Sequence, residues 1–171
     1  MSKSVIAALK RRRRLPSGSD ILGSALTATN VVVVNGPATW TLTDNVTNAA
    51  HGVNNASIVI TSGQELTRTF YVKPIGALTH FRLYVTTSTL SGTNSAGALA
   101  VLSGAGSVSN FVTGAGTVTS KSITPLAAGW YKVVIVVKQN GGDLISTTCV
   151  RFMTNADAST YAGVGDSIQI R

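Results

Sequence analysis

The sequence predicts an all-β protein: an antiparallel jelly-roll-type β-sandwich of about eight or nine strands behind an extended basic N-terminal arm. Three observations predict it. The stretch Gly129-Trp130-Tyr131-Lys132-Val133-Val134-Ile135-Val136-Val137-Lys138 is rich in β-branched and aromatic residues and is closed by Gln139-Asn140-Gly141-Gly142. The run Val133 to Val137 loses side-chain freedom in a helix but fits a pleated sheet. From residue 37 onward, short alternating stretches recur between Gly, Asn, Pro and Ser clusters, with no helical pattern among them. Finally, 44% hydrophobic against 12% charged residues describes a folded chain, and glutamate occurs only at Glu65. An immunoglobulin-like sandwich is the alternative architecture, but the single cysteine, Cys149, removes its disulfide marker.

The chain divides into a basic arm and linker, residues 1–36, and a sandwich, residues 37–171. Residues 1–14 hold six of the 14 cations and none of the six acids, so the formal charge of +8 belongs mostly to the arm. Ser4 to Arg14 is compatible with one short amphipathic helix, ended by Leu15-Pro16 and Ser17-Gly18-Ser19. Lys3, Lys10, Arg11, Arg12, Arg13 and Arg14 are the anchoring candidates, suited to an acidic protein surface or to phosphates without sequence preference. Val31, Val32, Val33 and Val34 form a strand closed by Asn35-Gly36-Pro37. Four exposed valines on an edge invite aggregation, so they are expected to pair with another strand, a neighbouring subunit's included.

Thr39 to Thr43 alternates, and Asp44 to Asn55 reads as a loop. Ser57 to Thr61 is a short strand. Leu66 to Lys73 puts Leu66, Phe70 and Val72 on one face, with Arg68 breaking it. His80 to Thr87 turns Phe81, Leu83 and Val85 inward and His80, Arg82, Tyr84 and Thr86 outward. Residues 88–120 are low in complexity. There Ser103-Gly104-Ala105-Gly106-Ser107 echoes Thr113-Gly114-Ala115-Gly116-Thr117, which reads as consecutive short hairpins. In the Trp130 strand, Tyr131, Val133, Ile135 and Val137 share one face. Leu144 to Met153 is a further strand, and Ser167 to Arg171 closes the chain with Ile168 and Ile170 inward.

Chemistry is not indicated, and the expectation is a protein that is no enzyme and takes no cofactor or metal. Asp20, Asp44, Glu65, Asp143, Asp157 and Asp166 are scattered, and His51 and His80 belong to no ligand-spaced cluster. Gly163-Val164-Gly165-Asp166 lacks the Lys-Ser/Thr ending of a phosphate loop. A calcium site at Asp143, Asp157 or Asp166 would have few carboxylates. For glycan contact the best candidate is Tyr84, on the polar side of its strand, with Trp130 second; Trp40, Trp130, Tyr131 and Tyr161 read first as core or sheet-margin residues. Cys149 falls in an apolar strand pattern, as a buried small hydrophobe would. No stretch reaches the length of a membrane span, and Val5 to Leu9 is too short for a signal peptide.

Phe70-Tyr71-Val72-Lys73, then Gly129-Trp130-Tyr131-Lys132-Val133, then Tyr161-Ala162-Gly163-Val164-Gly165-Asp166 with Ile168 and Ile170, occur in this order. The set resembles the carbohydrate-binding-module-like jelly-roll domains of tailed-bacteriophage virion proteins, over roughly residues 37–171. Val164 interrupts the Gly-Asp-Gly core of the last motif, and the chain stops where that family continues. The resemblance implies a non-enzymatic virion protein: a head decoration or fibre, a collar, or a tail-associated protein. Its partners would be capsid, portal, collar or tail proteins and further copies of itself. A small coat protein with a nucleic-acid-binding arm and a carbohydrate-binding adhesin module are the alternatives.

Overall fold

Strict alternation sorts each strand's side chains into two faces, and in this chain the apolar faces of two antiparallel sheets are brought against each other. The computed structural model describes residues 26–36, 38–55, 58–59, 61, 63–86, 94–139, 145–155 and 160–171. The strands are β1 (Thr27–Thr29), β2 (Val31–Asn35), β3 (Trp40–Asp44), β4 (Asn48–Ala50), β5 (Gly52–Asn54), β6 (Ile58–Val59), β7 (Glu65–Ile75) and β8 (His80–Thr86). They continue with β9 (Ser95–Val101), β10 (Ser107–Thr113), β11 (Gly116–Pro125), β12 (Tyr131–Gln139), β13 (Ile145–Met153), β14 (Thr160–Ala162) and β15 (Ser167–Ile170).

A seven-stranded sheet runs β1-β5-β13-β8-β9-β10, with β6 also pairing β13. A six-stranded sheet runs β11-β12-β7-β15-β3-β2, and β14 pairs β4 in a small ribbon. The long strand from Tyr131 therefore lies inside the six-stranded sheet, between β11 and β7. The pairing is nested along the chain. Strand β8 pairs β9, β7 pairs β12, β5 pairs β13 and β3 pairs β15, so each pair encloses the one before it.

Phe81, Leu83, Val85, Val150 and Phe152 from one sheet meet Leu42, Phe70, Val72, Val133, Ile135, Ile168 and Ile170 from the other in a single buried cluster. Phe81 and Phe152 pack edge to face with ring centroids 5.3 Å apart. Each such side chain contributes about 1.5–3 kcal/mol through burial. Arg68 reaches across the sandwich, its Nε donating to Thr148 Oγ1 on the opposite sheet at 3.0 Å.

Three stretches differ from the sequence reading. The segment read as a loop, Asp44 to Asn55, contains β4 and β5, and β5 is wholly buried between β1 and β13. Gly-Val-Asn has no intrinsic strand preference; pairing on both sides holds it extended. Ser95 to Val101 is a strand of small residues, with Ala96, Ala98 and Ala100 fully buried in the core. The two glycine echoes both fall at turns, one joining β9 to β10 and the other joining β10 to β11 across the two sheets. Residues 27–35, placed in the arm by the sequence reading, are strands of the two sheets. The helix expected at Ser4 to Arg14 lies outside the described residues.

Candidate interaction surfaces and a buried polar node

Lys3, Lys10, Arg11, Arg12, Arg13 and Arg14 lie outside the described residues, as do Asp20, Asp143 and Asp157. The valines are described. Strand β2 pairs with β3, Val31 opposite Asp44 and Val33 opposite Leu42, and it is the outermost strand of its sheet. Val31 and Val33 pack on the core, whereas Val32 and Val34 are 57% and 58% exposed. The expected pairing thus exists within the chain on one side of the strand, and the other side forms the sheet edge.

The two glycan candidates are not exposed platforms. Tyr84 does look away from the core, as its alternation predicts, but it is only 1% exposed. Across the sheet it stands in the row Cys149, Tyr84, Gly97, Phe111. A Cβ at position 97 would run into Tyr84, so glycine there leaves room for the ring beside it. Phe111 packs edge to face on Tyr84 at 5.2 Å, and the Arg82 guanidinium lies 4.2 Å from the Phe111 centroid. Burial, and after it the Cys149 thiol, push the Tyr84 phenol well above its usual range. Trp130 is 9% exposed, with the Arg171 guanidinium 4.3 Å from its ring centroid. Alternation sets the direction of a side chain and says nothing about what covers it, which is why Tyr84 is buried although it faces away from the core, whereas the burial of Trp130 agrees with its reading as a core or sheet-margin residue. Around Trp130 the outer face of the six-stranded sheet carries Lys132, opposite Tyr71, and Lys73, opposite Gln169. With Arg171 these make a small cationic cluster.

The richest polar constellation joins residues the sequence reading treated separately. Asp44, at the end of β3, is nearly fully buried. Its Oδ2 accepts from the Tyr161 hydroxyl at 2.8 Å and its Oδ1 from the Gly165 N–H at 2.7 Å, while its own N–H donates to the Asp166 carbonyl. Beside it His51 is fully buried, with Nδ1 2.9 Å from the Asn30 carbonyl and Nε2 3.0 Å from the Tyr161 carbonyl. Carbonyl oxygens only accept, so a neutral imidazole serves one of them at a time and an imidazolium serves both. The His51 and Tyr161 rings are 4.6 Å apart. Asn30 stands at the corner where β1 leaves for β2, and its side-chain amide donates to the Ala50 carbonyl. Burial first, and the bond to Asp44 second, push the Tyr161 phenol far above its usual range.

This node explains the residue types of Tyr161-Ala162-Gly163-Val164-Gly165-Asp166. A Cβ at Gly163 would collide with the Asn45 carbonyl, so only glycine lets the loop lie against the end of β3. Gly165 has φ +87°, a left-handed conformation that glycine adopts at little cost, and its N–H is aimed at Asp44. The Asp166 carboxylate accepts from the Ala77 N–H at 3.0 Å, tying the same loop to the turn after β7. The motif therefore clamps the ends of β3, β7 and β14 together. Its chain order was visible in the sequence, but its partner Asp44 lies over a hundred positions away and had no local signal.

Among the described residues no group of three or more His, Cys, Asp and Glu side chains could hold a metal ion, and Cys149 is buried. No described helix is long and apolar enough to cross a membrane. No protein-family model matches the chain, and no match is found among curated proteins.

Proposed function

We propose that this chain is a non-enzymatic structural protein of a bacteriophage virion, a jelly roll held to the particle by its N-terminal arm. The observation that carries the reading is the nested pairing of β3 with β15, β5 with β13, β7 with β12 and β8 with β9. A hairpin of four such pairs wrapped into two facing sheets is the jelly-roll plan, which recurs in capsid and lectin domains. It supports the resemblance carried by Phe70-Tyr71-Val72-Lys73, Gly129-Trp130-Tyr131 and the Tyr161 to Asp166 loop, since that loop acts as a clamp of the sandwich.

The most conspicuous polar side chains are engaged in holding strands together: His51 and Tyr161 to the Asn30 corner and Asp44, Arg68 to Thr148. The burial of Tyr84 and Trp130 removes the aromatic platforms on which an adhesin reading rested. Strands β1 and β2 are built into the two sheets. The cations of residues 3–14 would meet an acidic surface of a capsid, collar or tail protein.

A small coat protein that packages nucleic acid is the second reading, favoured by the cluster of Lys73, Lys132 and Arg171 added to the arm's six cations. Light scattering on size-exclusion eluate of the full chain, with nucleic-acid and protein absorbance recorded together, separates the two. A small nucleic-acid-free species that binds purified particles, and loses binding when residues 1–14 are deleted, is the expected result. Large nuclease-resistant particles rich in nucleic acid would overturn the leading reading.

A further inference from the structure

Among the described residues the main paths of the two sheets end at β1, β10, β11 and β2, and these edges are not equally protected. Strand β1 has only three residues. Strand β11 carries Lys121, ends in Pro125 and has a register irregularity between Val118 and Ser120, all devices that discourage edge pairing. Strand β10 is uncharged, but Ser107, Ser109 and Asn110 are poor strand formers and leave it polar. Strand β2 has none of these devices. It is Val-Val-Val-Val-Asn, with Val32 and Val34 exposed on the solvent side where its neighbour β3 presents Thr41 and Thr43.

We infer that the outer edge of β2, which no described strand pairs, pairs with β2 of a second copy, antiparallel about a two-fold axis at Val33, joining two six-stranded sheets edge to edge. This rests on the reading of Val31–Val34 as a partner-facing strand and names the partner.

Charge argues for a second copy. The arm carries +6 of the formal +8, so two copies repel mainly through their arms, and an acidic partner would be drawn there or to Lys73, Lys132 and Arg171. The β2 edge bears no charge and meets a copy of itself without that penalty. The register is also self-complementary. A two-fold axis at Val33 sets Val31 opposite Asn35 and Val32 opposite Val34, so the two exposed valines of each copy cover those of the other. A five-residue strand is only about 17 Å long. Its edge buries far less than the ~800 Å² per partner of a stable complex. The isolated pair is therefore weak, and a particle displaying many copies strengthens it through effective concentration.

Sedimentation equilibrium of the full chain, from micromolar to about 1 mM, reads the inference directly. The wild type is expected to shift from monomer toward dimer as concentration rises. The Val32→Lys/Val34→Lys variant should stay monomeric with an unchanged circular dichroism spectrum and melting temperature, because both side chains are exposed. Mild oxidation of Val32→Cys/Val34→Cys should trap a covalent dimer, since each new thiol faces the other position across the axis. Val32→Cys alone faces a valine and should not be trapped.

A wild type that stays monomeric throughout, lysine variants that still dimerise, or equal trapping of the single and double cysteine variants would each overturn the inference. So would capture of a different protein's strand by a chain that never self-associates. The readout is mass, so its failure is distinct from failure of the virion reading, which shows as bound nucleic acid or as lost binding to particles.

Discussion

Replacing Tyr161 with phenylalanine removes one hydroxyl and leaves the ring packed at a tilt beside His51. The lost bond is the 2.8 Å contact to the buried Asp44 carboxylate, which keeps its bond from the Gly165 N–H. Hydrogen bonds to charged groups contribute about 1.5–3 kcal/mol, and the partly buried position of Tyr161 favours the lower part of that range, about 2 kcal/mol. For a chain of this length that lowers the melting temperature by roughly 4–8 °C.

The pH dependence sharpens the test. An unfolded tyrosine ionises near pH 10. Burial, then the bond to Asp44, keep the folded Tyr161 protonated above that pH. Above about pH 10 the unfolded wild type thus releases a proton that the folded protein retains, and its stability falls as pH rises. The phenylalanine variant has no group there to titrate. Its deficit, measured by urea unfolding followed through tryptophan fluorescence, should be full at neutral pH and shrink above pH ~10. Tyr84, also raised, is present in both proteins and cancels in the difference. A deficit below about 0.5 kcal/mol at neutral pH, or one that grows with alkalinity, would refute the role given to the Tyr161–Asp44 bond.

Gly163→Ala should be severely destabilising, about 3 kcal/mol or more, because its Cβ meets the Asn45 backbone; Gly104→Ala, with open space but a φ of +55°, carries only the left-handed backbone cost and should lose about 1–2 kcal/mol in the same melting assay. His51→Phe keeps a ring beside Tyr161 but deprives the Asn30 and Tyr161 carbonyls of their donor; a loss of about 2–4 kcal/mol is expected in chemical denaturation. Hydrogen exchange should place the largest increase at β1 and β2, whose corner His51 holds. Tyr84→Ala should cost about 3–5 kcal/mol, as truncating a buried ring does. Should calorimetry find it neutral, the ring is not packed under Phe111.

The all-β sandwich was legible because long alternating strands encode their own buried face. Val133, Ile135 and Val137, or Phe81, Leu83 and Val85, need no partner to declare which side is apolar. The glycine echoes were legible as turns for a similar reason, since chain reversal is a local property of a few residues. Strand β5 was not legible, because Gly52-Val53-Asn54 is extended only through its pairing with β1 and β13. Nor was the covering of Tyr84, which depends on Gly97 and Phe111 arriving from two other strands.

By itself, then, the sequence determined the class of secondary structure, the inward face of each long strand and the concentration of net positive charge in the first 14 residues. These follow from side-chain shape, period-two alternation and composition, which act over a few residues. Tertiary structure alone decided the sheet order, the unprotected edge at β2 and the Asp44–His51–Tyr161 node, because each joins groups far apart in the chain. Their energy comes from pairing and desolvation, which exist only once the two sheets have met.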